Sequence, residues 1–178
     1  MKKSQLLIIM AVLTGLAVTA RLLPHPANFT PVAAVALFAG CYLPKKWALI
    51  LPVLIMLLSD FFIGFYELPL LLVVYSCFVL TGVAGFIIKK NRDVFSVLTS
   101  TLLVSLAFFL ITNLAVWLFS SWYTHDWSGL LLCYSLAVPF FRNTLLGNLF
   151  FVAILFGSYE LLRATLSEQK NTAESSII

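Results

Sequence analysis

Ala137–Phe150 reads AVPFFRNTLLGNLF, with an arginine, two asparagines and a glycine inside an otherwise apolar run. Arg142 keeps its proton at any physiological pH, and a guanidinium facing lipid costs at least a few kcal/mol. Such a residue must pair, face water or snorkel to a membrane surface. Five other apolar segments precede this stretch, several with polar residues towards the same end. The stretch therefore reads as part of a helical membrane bundle whose polar groups converge on one pocket.

Composition supports lipid as the solvent. The 178 residues are 62% hydrophobic and 10% charged, with a mean hydropathy of +1.05. A soluble domain carries about 25% charged residues, so this chain cannot cover itself with polar surface in water. A spanning helix needs roughly 20 apolar residues, which leaves room for about six spans in one domain. Cys41, Cys77 and Cys133 are odd in number, lie in apolar surroundings and lack metal-ligand spacing, so they read as small core residues.

The expected architecture is an all-α integral membrane protein with six transmembrane helices over residues 1–163. The spans are expected at 5–23, 29–43, 47–66, 68–88, 94–119 and 143–162, with a polar, disordered cytoplasmic tail at 164–178. A signal peptide ending at Val18-Thr19-Ala20 competes for the first segment, but a first span is the simpler reading. The second segment is short and rich in Ala and Gly, which let helix backbones approach closely, so it belongs inside the bundle. Leu130–Phe141 is apolar but holds Pro139, and reads as a separate interfacial or re-entrant piece.

The basic residues orient the bundle. With the N-terminus inside, nine of the eleven Lys and Arg fall on the inner side, at Lys2, Lys3, Lys45, Lys46, Lys89, Lys90, Arg92, Arg163 and Lys170. Only Arg21 and Arg142 fall outside. Excess Lys and Arg mark short cytoplasmic loops, so both termini are expected in the cytoplasm and the chain in a bacterial inner membrane.

On that topology polar groups gather at the outer helix ends. Asn28, Asp60, Asn113, Trp117, Tyr134, Arg142 and Asn143 are the expected substrate-binding residues, with Arg21, His25, Tyr66 and Glu67 nearby. Asp60 and Arg142 are each other's expected partner, since a guanidinium keeps a carboxylate charged near the membrane. Each has a plainer use: a pin between helices for the ion pair, an inter-helix hydrogen bond for Asn113, interfacial anchoring for the tryptophans. Catalytic motifs such as HExxH, GxSxG or a Gly-rich phosphate loop do not occur. His25 and His125 lack a third ligand at helical spacing. No enzyme activity, cofactor or metal is expected.

The segments HPANFTPVAAVALFAG (25–40), LSDFFIGFY (58–66), FFLITNLAVWL (108–118) and CYSLAVPFFRNTLLGNLFF (133–151) resemble a family of small bacterial membrane proteins of unknown function assigned to transport. That family is in turn similar to the substrate-binding S components of energy-coupling-factor (ECF) transporters. The resemblance implies a six-helix bundle with an outward-facing pocket capped by loops. It also implies partners: a membrane coupling subunit with two cytoplasmic ATPases. Ala11-x-x-x-Gly15 stands where S components often show paired alanines for docking, and no vitamin-specific ligand motif is present.

The expected function is uptake of a small solute such as a vitamin, nucleobase derivative or cofactor precursor. A six-span envelope scaffold of the MreD kind and a solitary proton-coupled carrier using Asp60 are the alternatives. A cavity among the polar residues favours transport, and a filled bundle favours the scaffold.

Overall fold

A computed structural model describes residues 3–175. Among them the chain forms six α-helices: α1 (Lys3–Leu22), α2 (Val32–Tyr42), α3 (Lys45–Ile63), α4 (Leu68–Ile88), α5 (Val94–Phe119) and α6 (Trp127–Ser175). The expected spans 68–88 and 94–119 coincide with α4 and α5. All except α2 are long and apolar enough to cross a membrane.

At 11 residues, α2 is about 16 Å long, against roughly 30 Å of hydrocarbon. It is too short to span, yet Val32 through Cys41 are all buried. A helix apolar on every side is a core helix, and α2 packs against α3, α4 and α6 at the centre of the bundle. Glycine makes the α2–α4 contact possible. A side chain on Gly40 would strike the backbone of Gly82 and Gly85, and one on Gly85 would strike the backbone of Leu37 and Gly40. Cys41 Sγ completes the seam by donating to the Gly85 carbonyl at 3.4 Å.

The separate piece expected at Leu130–Phe141 is instead continuous with the last helix. Pro139 lies inside α6, and Asn143–Leu162 is only its middle. An internal proline removes one backbone bond and bends a helix without ending it, and membrane helices tolerate this where neighbours hold the chain. Here α5 runs antiparallel beside α6 and holds it: Tyr134 Oη donates to the Leu110 carbonyl at 2.7 Å, and Phe109 packs on Tyr134 and Phe141. Helix continues through the expected disordered tail as far as Ser175. The apolar part of α6, Trp127–Thr165, spans 39 residues, or about 58 Å, well beyond the roughly 30 Å of a bilayer's hydrocarbon.

Carboxylates in the loops start both long helices. Asp93 accepts from Ser96 N at 3.0 Å at the head of α5, and Asp126 accepts from Gly129 N at 2.7 Å at the head of α6. These backbone N–H bonds, with hydroxyl bonds from Ser96, Ser128 and Thr124, hold both carboxyls below the usual carboxylate range.

The two ends of the bundle differ. One end gathers Arg21, Asp60 and Tyr75, together with the 23–31 loop. The other gathers Phe38, Tyr42, Phe156 and Tyr159 in a ring cluster with centroids 4.1–5.7 Å apart. There Tyr42 Oη donates to Glu160 Oε1 at 2.9 Å, and the Arg92 guanidinium lies 4.7 Å from the Tyr42 ring.

Candidate solute cavity

Because α2 fills only one half of the bundle's centre, the other half must be filled by something else. Residues 23–31 fold back over it, pinned where Phe29 sits against Gly147 and packs its ring on Phe150 and Phe151. Asn28 takes a left-handed φ of 64° in this turn, a conformation asparagine tolerates well. Below the loop a cavity of about 280 Å³ remains. Its polar lining is Arg21, Asn28, Thr30, Tyr66, Thr81, Thr144 and Asn148, and Ala33, Met56, Val74, Phe78, Val104 and Phe108 are its apolar walls.

Arg21, in the last turn of α1, is the cavity's cation. Its Nη2 lies 2.7 Å from Asp60 Oδ1, with the two side chains 14% and 1% exposed. Its Nη1 is turned to the Met56 sulfur. The second carboxylate oxygen, Asp60 Oδ2, accepts from Tyr75 Oη at 2.8 Å. One buried ion pair therefore ties α1 to α3, and one hydrogen bond carries it on to α4. Asp60 itself stands behind Arg21 and does not line the cavity.

This corrects the expected Asp60–Arg142 pair. α1 and α3 are neighbours, whereas α3 and α6 are not in contact among the described residues. Arg142 is exposed. It precedes Thr144 by two residues, about 200° round the helix, so the face that lines the cavity turns Arg142 away from it.

Of the other expected residues, Asn28 lines the cavity. Asn113 bonds within α5, its Nδ2 donating to the Phe109 carbonyl at 2.7 Å, while its own carbonyl accepts from Cys133 Sγ at 3.5 Å. Trp117 Nε1 donates to the Thr124 carbonyl at 2.9 Å and meets His125 edge-on, holding the loop between α5 and α6. Tyr134 bonds α6 to α5 as described. Asn143 is half-buried and lies outside the cavity lining, as Arg142 does.

The lining also includes Thr30, Thr81, Thr144 and Asn148, none of them among the expected binding residues. A signal was present. Thr144 and Asn148 stand at i, i+4 on α6, and Thr101 and Ser105 stand at i, i+4 on α5. Polar pairs at that spacing share one face, and in an apolar helix that face turns inward. Asn148 Nδ2 indeed donates to Ser105 Oγ at 2.9 Å, and Ser105 donates on to the Thr101 carbonyl at 2.7 Å.

A second cavity of about 230 Å³ lies between α4 and α5 and shares Thr81, Val104 and Phe108 with the first. Its remaining residues, Cys77, Leu80, Leu103, Ala107 and Ile111, are apolar. Among the described residues no three His, Cys, Asp or Glu side chains gather closely enough to hold a metal ion. The site is thus equipped for hydrogen bonding and one charge contact.

No curated protein and no solved structure matches the chain. A family profile does match, over residues 1–171, and by that match the chain belongs to the Family of unknown function (DUF6580).

Proposed function

We propose that this is a multi-pass membrane protein that binds a small solute in the Arg21–Asn148 cavity for transport. The observation that carries the reading is the cavity itself. Ligand sites are mostly apolar clefts with a few convergent polar groups, and this one has Phe, Val and Met walls with Arg, Asn, Thr and Tyr side chains among them. A scaffold would favour a filled interior.

In this reading the Arg21 end faces outward and the Tyr42 end faces the cytoplasm, following the excess of Lys and Arg in the loops of the Tyr42 end. The solute-binding role resembles that of an ECF S component, with a membrane coupling subunit and cytoplasmic ATPases as partners. Asp60 acts here as the partner of Arg21.

The test is uptake profiling. Cells producing the chain should deplete some solute from a defined medium faster than cells producing Ala33→Phe, which fills the cavity. Ile87→Phe, placed on an exposed face, should leave uptake unchanged. Equal depletion by the wild-type chain and Ala33→Phe would overturn the transport reading. Co-purification of ATPases from native membranes would support the S-component form. Uptake that survives loss of the ATPases and collapses with the proton gradient would replace it with a solitary carrier.

A further inference from the structure

We propose that the cavity recognises a carboxylate-bearing amphipathic solute, with Arg21 as the group that meets the carboxylate; this rests on the solute-binding reading above. Among the described residues the lining holds one charged side chain, Arg21, and no carboxylate. A cationic solute would find a positive charge and nothing to pair with.

The donors of Arg21 are only partly used. A guanidinium carries five N–H groups in a planar fork. Asp60 engages it through one oxygen, and its other oxygen accepts from Tyr75. Nη1 is turned to the Met56 thioether, a weak acceptor. Arg21 and Met56 both line the cavity. An incoming carboxylate would exchange that sulfur for a charged acceptor matched to the fork, the stronger kind of hydrogen bond.

The uncharged polar residues of the lining have the opposite character. Thr81 and Thr144 spend their hydroxyl protons on the Cys77 and Phe140 carbonyls, both at 2.9 Å. Asn148 spends an amide N–H on Ser105 Oγ. Their oxygens are left to accept. Phe78 and Phe108, both in the lining, pack on each other at 5.3 Å. The complement is a solute with a carboxylate, an aromatic or aliphatic body, and an N–H or O–H donor. The volume suits on the order of ten non-hydrogen atoms, judged against about 30 Å³ for each water molecule.

The experiment uses the purified full chain in lipid nanodiscs. Binding of 3-(4-hydroxyphenyl)propanoate and of indole-3-acetate is measured by calorimetry and by thermal shift, each against its primary amide. The acids should bind at least about tenfold more tightly than the amides, the scale of one charge-assisted contact. Arg21→Lys should narrow that ratio. The charge-neutral double variant Arg21→Gln with Asp60→Asn should bring it to about one.

Amides that bind the wild-type chain as well as the acids would overturn the carboxylate class and leave the solute-binding reading standing. A double variant that keeps the preference would overturn the role of Arg21. Absence of binding by acids and amides alike would overturn the carboxylate class, while the uptake comparison with Ala33→Phe decides the reading beneath it. Should the double variant fail to fold, the wild-type acid-to-amide ratio still decides.

Discussion

The Arg21 end and the Tyr42 end of the bundle are built on opposite principles, and α2 links them. Towards Tyr42, the glycine seam brings α2 and α4 into backbone contact, and four aromatic rings close the space beside α6. Towards Arg21, α2 has ended. The helices around it continue, and the space left at the centre is a cavity braced by one buried ion pair. Apolar close packing secures one end; polar tethers hold the other around a void. Packing of that kind is dense and intolerant of added volume. Tethers act at a few points, so the space between them can stay open for a ligand.

The comparison breaks most sharply at the tether. Arg21→Ala strands a carboxylate that is 1% exposed, and loss of one partner of a buried pair costs about 3–5 kcal/mol. Thermal unfolding in nanodiscs should show that loss. A double change of Arg21 and Asp60 to apolar residues should recover much of it, because no charge is left unpaired. A double variant as unstable as the single one would mean that the pair is not what closes this end.

Gly85→Ala probes the opposite end. The added methyl meets backbone rather than a flexible side chain, so α2 and α4 must separate, at a cost of about 1–3 kcal/mol. At Gly15, where an added Cβ meets nothing within 4 Å, the same change should be neutral or slightly stabilising. Equal effects at the two glycines, read by thermal unfolding, would dissolve the contrast between a seam and an open face.

Smaller changes sharpen the picture. Tyr42→Phe removes an exposed hydrogen bond to Glu160 while keeping the ring, and should cost about 1 kcal/mol or less. Thr144→Val should leave stability within about 1 kcal/mol yet weaken retention of any solute in the cavity, since it deletes an acceptor from the lining. A loss of stability without a loss of binding would reassign Thr144 to packing alone.

The mildest expected effect follows pH. The Asp126 carboxyl is held below its ordinary value by bonds at the head of α6, so its contribution is present above the unfolded pKa, near 4. It is lost as pH falls through the lower folded value. Asp126→Asn should therefore flatten the acid limb of the thermal stability profile below about pH 4 and leave the neutral region largely unchanged.

The fold was legible where local chemistry decides. The limits of α4 and α5 could be read directly, since Pro69, the KKN turn and the Asp93 cap bracket them. Pro139 misled, because a proline inside an apolar run looks alike whether the chain turns there or the helix continues through it beside α5. The site was half legible. Arg21 and Asp60 stood out as polar groups near helix ends, but their pairing depended on which helices are neighbours. Thr81, Thr144 and Asn148 carry no charge, and only the i, i+4 spacing of Thr144 and Asn148 marked their face.

Sequence alone determined that the chain is a bundle of apolar helices, because hydropathy and length are properties of each segment. It also marked α2 as a core helix, because small residues on every side suit only close packing. Tertiary structure decided the rest. Whether Asp60 meets Arg21 or Arg142 depends on α3 lying beside α1 and away from α6. The cavity exists only because a short helix is surrounded by longer ones, a mismatch that belongs to their arrangement and to no single segment.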